Sequence, residues 1–207
     1  MAKLDKNNQI LNKTKSNLPI RGFSEEKPPK ELIEEIIKAG KLTHYSTPGI
    51  VDGEYSRKFF IFEKGSVKSK KLALLMENNA TDRLRHVENL ILKNPFMKSK
   101  FQNNLNMLRY GVDKCVTEFT TAPYFIIVSD MNAPPSEQEP LTQVMTNMQL
   151  KATAFDLNFQ IIRLPCGNLS LISQMAGNEE LMKLLELPIK KFAINGCAIG
   201  YSATNSS

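Results

Sequence analysis

The chain has 207 residues, 42% hydrophobic and 23% charged, with a net charge of +6, the composition of an ordinary globular protein with room for one domain of common size. Its three cysteines, Cys115, Cys166 and Cys197, are scattered and form no CxxC pair, which excludes a disulfide framework and a cysteine metal motif. No apolar run approaches the roughly eighteen residues of a membrane span, and no basic stripe interleaved with aromatics marks a nucleic-acid surface, although the modest positive excess suits acidic ligands such as phosphates.

Residues 1–17 are polar, rich in Lys and Asn, and without periodicity. They read as a flexible arm ahead of a single domain over 18–207. No secretory apolar segment opens the chain, so a cytoplasmic protein is expected. Pro29–Ala39 carries Leu32, Ile33, Ile36 and Ile37 on one stripe. It is an amphipathic helix with prolines at its start and Gly40 as its stop. The loop that follows holds Tyr45, together with His44 and Glu54, the last two of which read as solvated residues. Phe59–Phe62 is expected to be a central strand. Ser66–Asn79 and Thr81–Leu92 read as two helices, with Ser66 and Thr81 as caps. Asn94-Pro95 breaks the pattern. Phe101, Leu105, Leu108, Val112, Cys115 and Phe119 then repeat at heptad-like spacing, a long helix whose stripe is first of all core.

Ala122–Ile162 organises the rest. Tyr124–Val128 is apolar on both faces and reads as a central, buried strand. Asp130–Pro140 is a loop marked by Pro134-Pro135. Leu141, Val144, Met145, Met148, Ala152 and Phe155 recur at helical spacing. Phe159–Leu164 is a return strand. Asn178–Leu187 is a short helix, and Phe192–Tyr201 a closing strand. A buried strand, a helix and a second strand in close succession form an α+β core unit.

Several of these pieces carry a family resemblance. Ala122-Pro123 before an apolar strand, then a helix with Asn147, Leu150, Ala152 and Ala154, then the turn Phe155-Asp156-Leu157-Asn158, resembles the nitroreductase superfamily of FMN flavoproteins. Asp156 and Asn158 stand where the family turn has glycines, and both residue types tolerate a left-handed backbone. Arg21-Gly22-Phe23 matches the R-x-F of the family's opening signature. Glu186-Leu187-Pro188 and Gly200-Tyr201 match its closing block. The resemblance covers Leu18 to Tyr201.

The resemblance implies a nitroreductase-like α+β fold, with a central, mostly antiparallel sheet flanked by helices in an intertwined homodimer. It implies FMN as cofactor, NAD(P)H as electron donor, and a nitroaromatic, quinone or related small-molecule acceptor. Chemistry would run at flavin N5, with no catalytic side chain and no metal. Arg21 becomes the phosphate ligand, since a planar guanidinium offers a bidentate fork, with Gly22 beside it. Ser56 and Asn147 fall near polar flavin contacts of the family. Ile161, Ile162, Arg163 and Leu164 match the strand end whose backbone approaches the flavin ring, and Arg163 would set a cation near its N1/O2 edge. The long helix over 101–119 would also serve the dimer interface.

Three departures leave other readings open. There is no R-x-S before Arg21, no QPW before Phe59, and no basic tail after Tyr201. A homodimer of this fold that has lost or altered flavin binding, acting as a ligand-binding or structural protein, is the alternative. An unrelated α+β protein that binds through its positive charge is a third.

Overall fold

The computed structural model describes residues 22–43, 50–51, 54–163 and 170–203. Two apolar strands set its architecture. All seven residues of β4 (Tyr124–Asp130) and all eight of β6 (Ala193–Gly200) are buried. Strands apolar on both faces need cover on both sides. They pair antiparallel, Tyr124 opposite Ile199 and Asp130 opposite Ala193. β3 (Arg57–Glu63) adds to β4, and β5 (Asn158–Ile161) adds to β6, giving the order β3-β4-β6-β5 with every neighbour antiparallel. A separate hairpin pairs β1 (Ile50–Val51) with β2 (Glu54–Tyr55).

The period-two alternation of the strands divides the interior into two cores. Tyr124, Ile126, Val128, Cys197 and Ile199 pack against α1 (Lys30–Lys41) and α4 (Glu139–Ala154). Phe125, Ile127, Ile194 and Ala198 face the other way. They pack against α2 (Val67–Lys93), α3 (Pro95–Thr121), α5 (Leu171–Gln174) and α6 (Glu179–Leu184). The protein is therefore α+β, an antiparallel sheet between two helical layers. Among the described residues, no helix is long and apolar enough to cross a membrane.

The structure corrects several sequence expectations. Ser66 does cap a helix, its hydroxyl accepting from the Ser69 N–H at 3.1 Å. That helix then runs unbroken through Thr81 to Lys93. No Gly or Pro interrupts it, and Ala80 is fully buried, so packing overrides the capping signal. β3 is an edge strand among the described residues, not a central one, and Ile61 on it is 40% exposed. Gly40 does not stop α1, which continues to Lys41. Its job is close approach, because a Cβ there would lie 2.8 Å from Met148 Cγ. The stripe of α3, by contrast, is core as expected, with Leu105, Val112, Cys115 and Phe119 buried. The return strand ends at Ile161, and Arg163 makes only an isolated bridge to Ser170.

Other expectations are met. Asn94 ends α2 and Pro95 starts α3. Asp156 takes a left-handed φ of 57°, as the glycine-free turn requires; Asn158 already begins β5. Asn178 caps α6 by accepting from the Leu181 N–H at 2.9 Å. The arm over 1–17, together with Arg21, His44, Tyr45, Leu164 and Cys166, lies outside the described residues.

Candidate functional site

The apolar runs of β3 and β4 each end in a charge. Register sets Arg57 directly opposite Asp130 where β3 starts and β4 ends. Both side chains are almost fully buried, at 0% and 3% exposure. Arg57 donates from Nε and Nη2 to Asp130 Oδ2 at 3.3 and 3.1 Å, and from Nη1 to the Thr43 carbonyl at 3.3 Å. The Asn132 N–H donates to Asp130 Oδ1 at 3.2 Å. Asn147 on α4 donates to Thr43 Oγ1 at 3.0 Å. This network ties the end of α1, the mouths of β3 and β4, and the middle of α4 into one corner. Buried charges persist only when paired and hydrogen-bonded, and here they are.

Ser56 and Ser129 occupy the same end of the sheet, on the face opposite Arg57. Both hydroxyls are buried and without a hydrogen-bond partner among the described residues. A buried hydroxyl is normally satisfied, so two orphans mark an end where polar capacity is left unused.

The second corner is the end of β5. Ile161 is half-buried. Ile162 is buried in the core, and its carbonyl accepts from the Leu171 N–H at 2.8 Å. Arg163 is exposed and makes no ion pair among the described residues. No described strand pairs with the outer side of β5, so its outward backbone groups are open to another donor or acceptor. Beside it, Gln160 Nε2 donates to Glu118 Oε2 at 2.6 Å. Glu118 Oε1 and Gln160 Oε1 have no hydrogen-bond partner among the described residues, although the Lys114 ammonium stands 3.7 Å from Glu118 Oε1.

Gly22 lies at the far end. It is buried with φ 136°, a value that favours glycine. Its carbonyl accepts from the Ala203 N–H at 3.2 Å, and Phe23 bridges to Ser202 beyond β6. The seven residues of β4 separate that end from Ser56 and Asp130, roughly 24 Å at the antiparallel rise. The chain brings Asn147 into the Arg57 corner and sets Ile161, Ile162 and Arg163 at the β5 corner. It does not bring Gly22 to Ser56. Cavities of about 330, 700 and 400 Å³ are lined by other residues. Lys27 and Lys68, two cations suited to phosphate, are engaged by Glu63 and Glu186. No group of three or more His, Cys, Asp or Glu side chains among the described residues could hold a metal.

Sequence reasoning missed Arg57 and Asp130. The signal was there: each stands at the edge of an apolar run, and antiparallel pairing of the two runs sets the charges opposite one another.

No family model matches the chain, and no curated protein matches it in sequence. Solved structures do resemble it in three dimensions. A nitroreductase with bound FMN from Bacteroides fragilis is 17% identical with a TM-score of 0.57, over 96% of this chain and 90% of that one. The FMN-dependent nitroreductase NfnB from Mycobacterium smegmatis, in complex with NADPH, is 13% identical with a TM-score of 0.57, over 94% and 89%. Oxidized iodotyrosine deiodinase bound to FMN and 3-iodo-L-tyrosine is 16% identical with a TM-score of 0.60, over 95% and 91%. The chain has the nitroreductase fold.

Proposed function

We propose that this chain is an FMN-dependent NAD(P)H oxidoreductase, acting as a cytoplasmic homodimer on a nitroaromatic, quinone or related acceptor. The observation that carries the reading is a fold shared over about nine-tenths of both chains with proteins solved with FMN. The donor chemistry of the β5 corner suits the flavin ring. An open strand edge supplies backbone groups, and Arg163 supplies a guanidinium with no ion pair among the described residues.

In this reading the backbone around Ile161, Ile162, Arg163 and Leu164 would hold the ring edge. The Arg163 cation would favour electron density there. Arg21, next to Gly22, would take the phosphate. Bound FMN would accept hydride at N5 from the nicotinamide and pass electrons to the acceptor. Ser56 and Asn147 belong to the other end of the sheet. One chain keeps that end roughly 24 Å from Gly22, so a complete pocket needs a second copy to bring the two ends together. Asn147 would act by holding Thr43, and through it the Arg57 corner.

A second reading has its own support. Ser56 is only 1% exposed, so its hydroxyl cannot meet a ligand without local rearrangement. With the missing R-x-S, QPW and basic tail, this favours a homodimer that has lost or altered flavin binding. Replacing Arg21 separates the two. Arg21→Ala should raise the FMN dissociation constant roughly ten- to a hundredfold, the value of one charge-assisted contact, with circular dichroism unchanged. Undiminished FMN affinity in the variant would remove Arg21 from the phosphate site.

A further inference from the structure

The fold leaves a cavity of about 330 Å³ between the end of β3, the first turns of α2 and the last turn of α3. None of the residues proposed for the flavin lines it. Its body is apolar, built from Phe62, Leu72, Met76, Phe119 and Phe125, which are all buried. The cavity opens to the surface and reaches five core side chains, which makes it a concave, mostly apolar place for a guest. Three of the five are phenylalanines, whose faces and edges suit an aromatic ring, and Met76 adds a polarizable sulfur.

The rim has the opposite character. Lys64 and Lys70 line it, both exposed. Neither makes an ion pair among the described residues, whereas Lys27 and Lys68 nearby are both paired. No Asp or Glu lines the cavity. An apolar interior under two cations that make no ion pair among the described residues selects a molecule with an aromatic body and one anionic end. We propose that this cavity is a binding site for a small aryl carboxylate, with the ring among Phe62, Phe119 and Phe125 and the carboxylate at Lys64 and Lys70. Charge sets specificity at the mouth, and apolar burial supplies most of the affinity.

The test uses the purified full chain and 2-naphthoate. The chain has no tryptophan, so the fluorescence of the probe is read without indole overlap. Saturable binding at one site per chain is expected, with 2-naphthalenemethanol, the neutral analogue, binding at least about tenfold more weakly. Lys64→Gln/Lys70→Gln should weaken 2-naphthoate about tenfold and leave the alcohol unchanged. Ala73→Phe, which fills the cavity, should abolish binding of both probes. Saturating FMN should leave the naphthoate titration unmoved, which keeps this site distinct from the flavin reading. No saturable binding of naphthoate, or equal binding of acid and alcohol to the wild type, would overturn the proposal. Undiminished naphthoate affinity in the double lysine variant, whose changes are on the surface and spare the fold, would do the same.

Discussion

Arg57 and Asp130 are the residues most tightly bound to their surroundings. Removing one partner strands the other as a buried charge, so Arg57→Met should cost about 3–5 kcal/mol in urea unfolding. Arg57→Met/Asp130→Leu should cost clearly less than the single change, because it leaves no charge behind. A single variant within 1 kcal/mol of wild type would mean that water reaches the pair. Cys115 makes a second prediction. Burial, with Glu118 adding to it, pushes its thiol up to about 12, and burial alone raises Cys197. Neither should react with Ellman's reagent at pH 8 in the native protein, and both should react once it is unfolded. The same shift gives an alkaline trend. The unfolded thiol loses its proton near its ordinary value while the folded one keeps it. The Cys115 contribution to stability is whole below about 8.5 and falls as pH rises from there toward 12. Residue types at heptad-like spacing marked Cys115 as core from sequence. They did not show the Arg57 pair, because a charge at the margin of an apolar run looks like a solvated end until strand register sets its partner opposite.

At the scale of elements, α2 is the sharpest difference between sequence and structure. Thr81-Asp82 looks like a helix start, yet Thr81 is interior to one continuous helix. Thr81→Pro tests this directly. In a helix interior it should cost about 3 kcal/mol or more, whereas a proline at the first turn of a separate helix would be tolerated. Ser66→Ala, at the true cap, should cost about 1 kcal/mol. Gly40→Ala should cost about 1–3 kcal/mol by crowding Met148 between α1 and α4. Chemical denaturation midpoints read all three. The positions of most elements were legible because their apolar residues recur at helical or strand spacing. Boundaries that depend on tertiary packing, such as the ends of α1, α2 and β5, were not. Local propensity at Gly40 and Thr81 points to a stop that packing against the core overrides.

At the scale of the molecule, the central place of β4 was readable because Tyr124–Val128 is apolar on both faces, whereas β6 reads only as a closing strand until the pairing order sets it beside β4. The edge position of β3 was not readable either, since its Phe59–Phe62 run resembles a central strand and only the pairing order shows otherwise. The candidate site was legible in part. Asn147 and the Ile161–Arg163 strand end sit at corners of the sheet where ligand contacts are possible. The distance from Gly22 to the Ser56 and Asn147 end was hidden, because a sequence does not say that about one strand length separates them. A pocket that needs both must be finished by a second chain, so cofactor binding and assembly should be coupled. The most direct measurement is an absorbance scan of the protein after incubation with FMN and gel filtration, read together with its elution volume. Flavin bands that co-elute with a dimer at about one FMN per chain are expected. A colourless dimer that releases FMN at micromolar concentration would contradict the oxidoreductase reading and leave the nitroreductase fold with a different occupant.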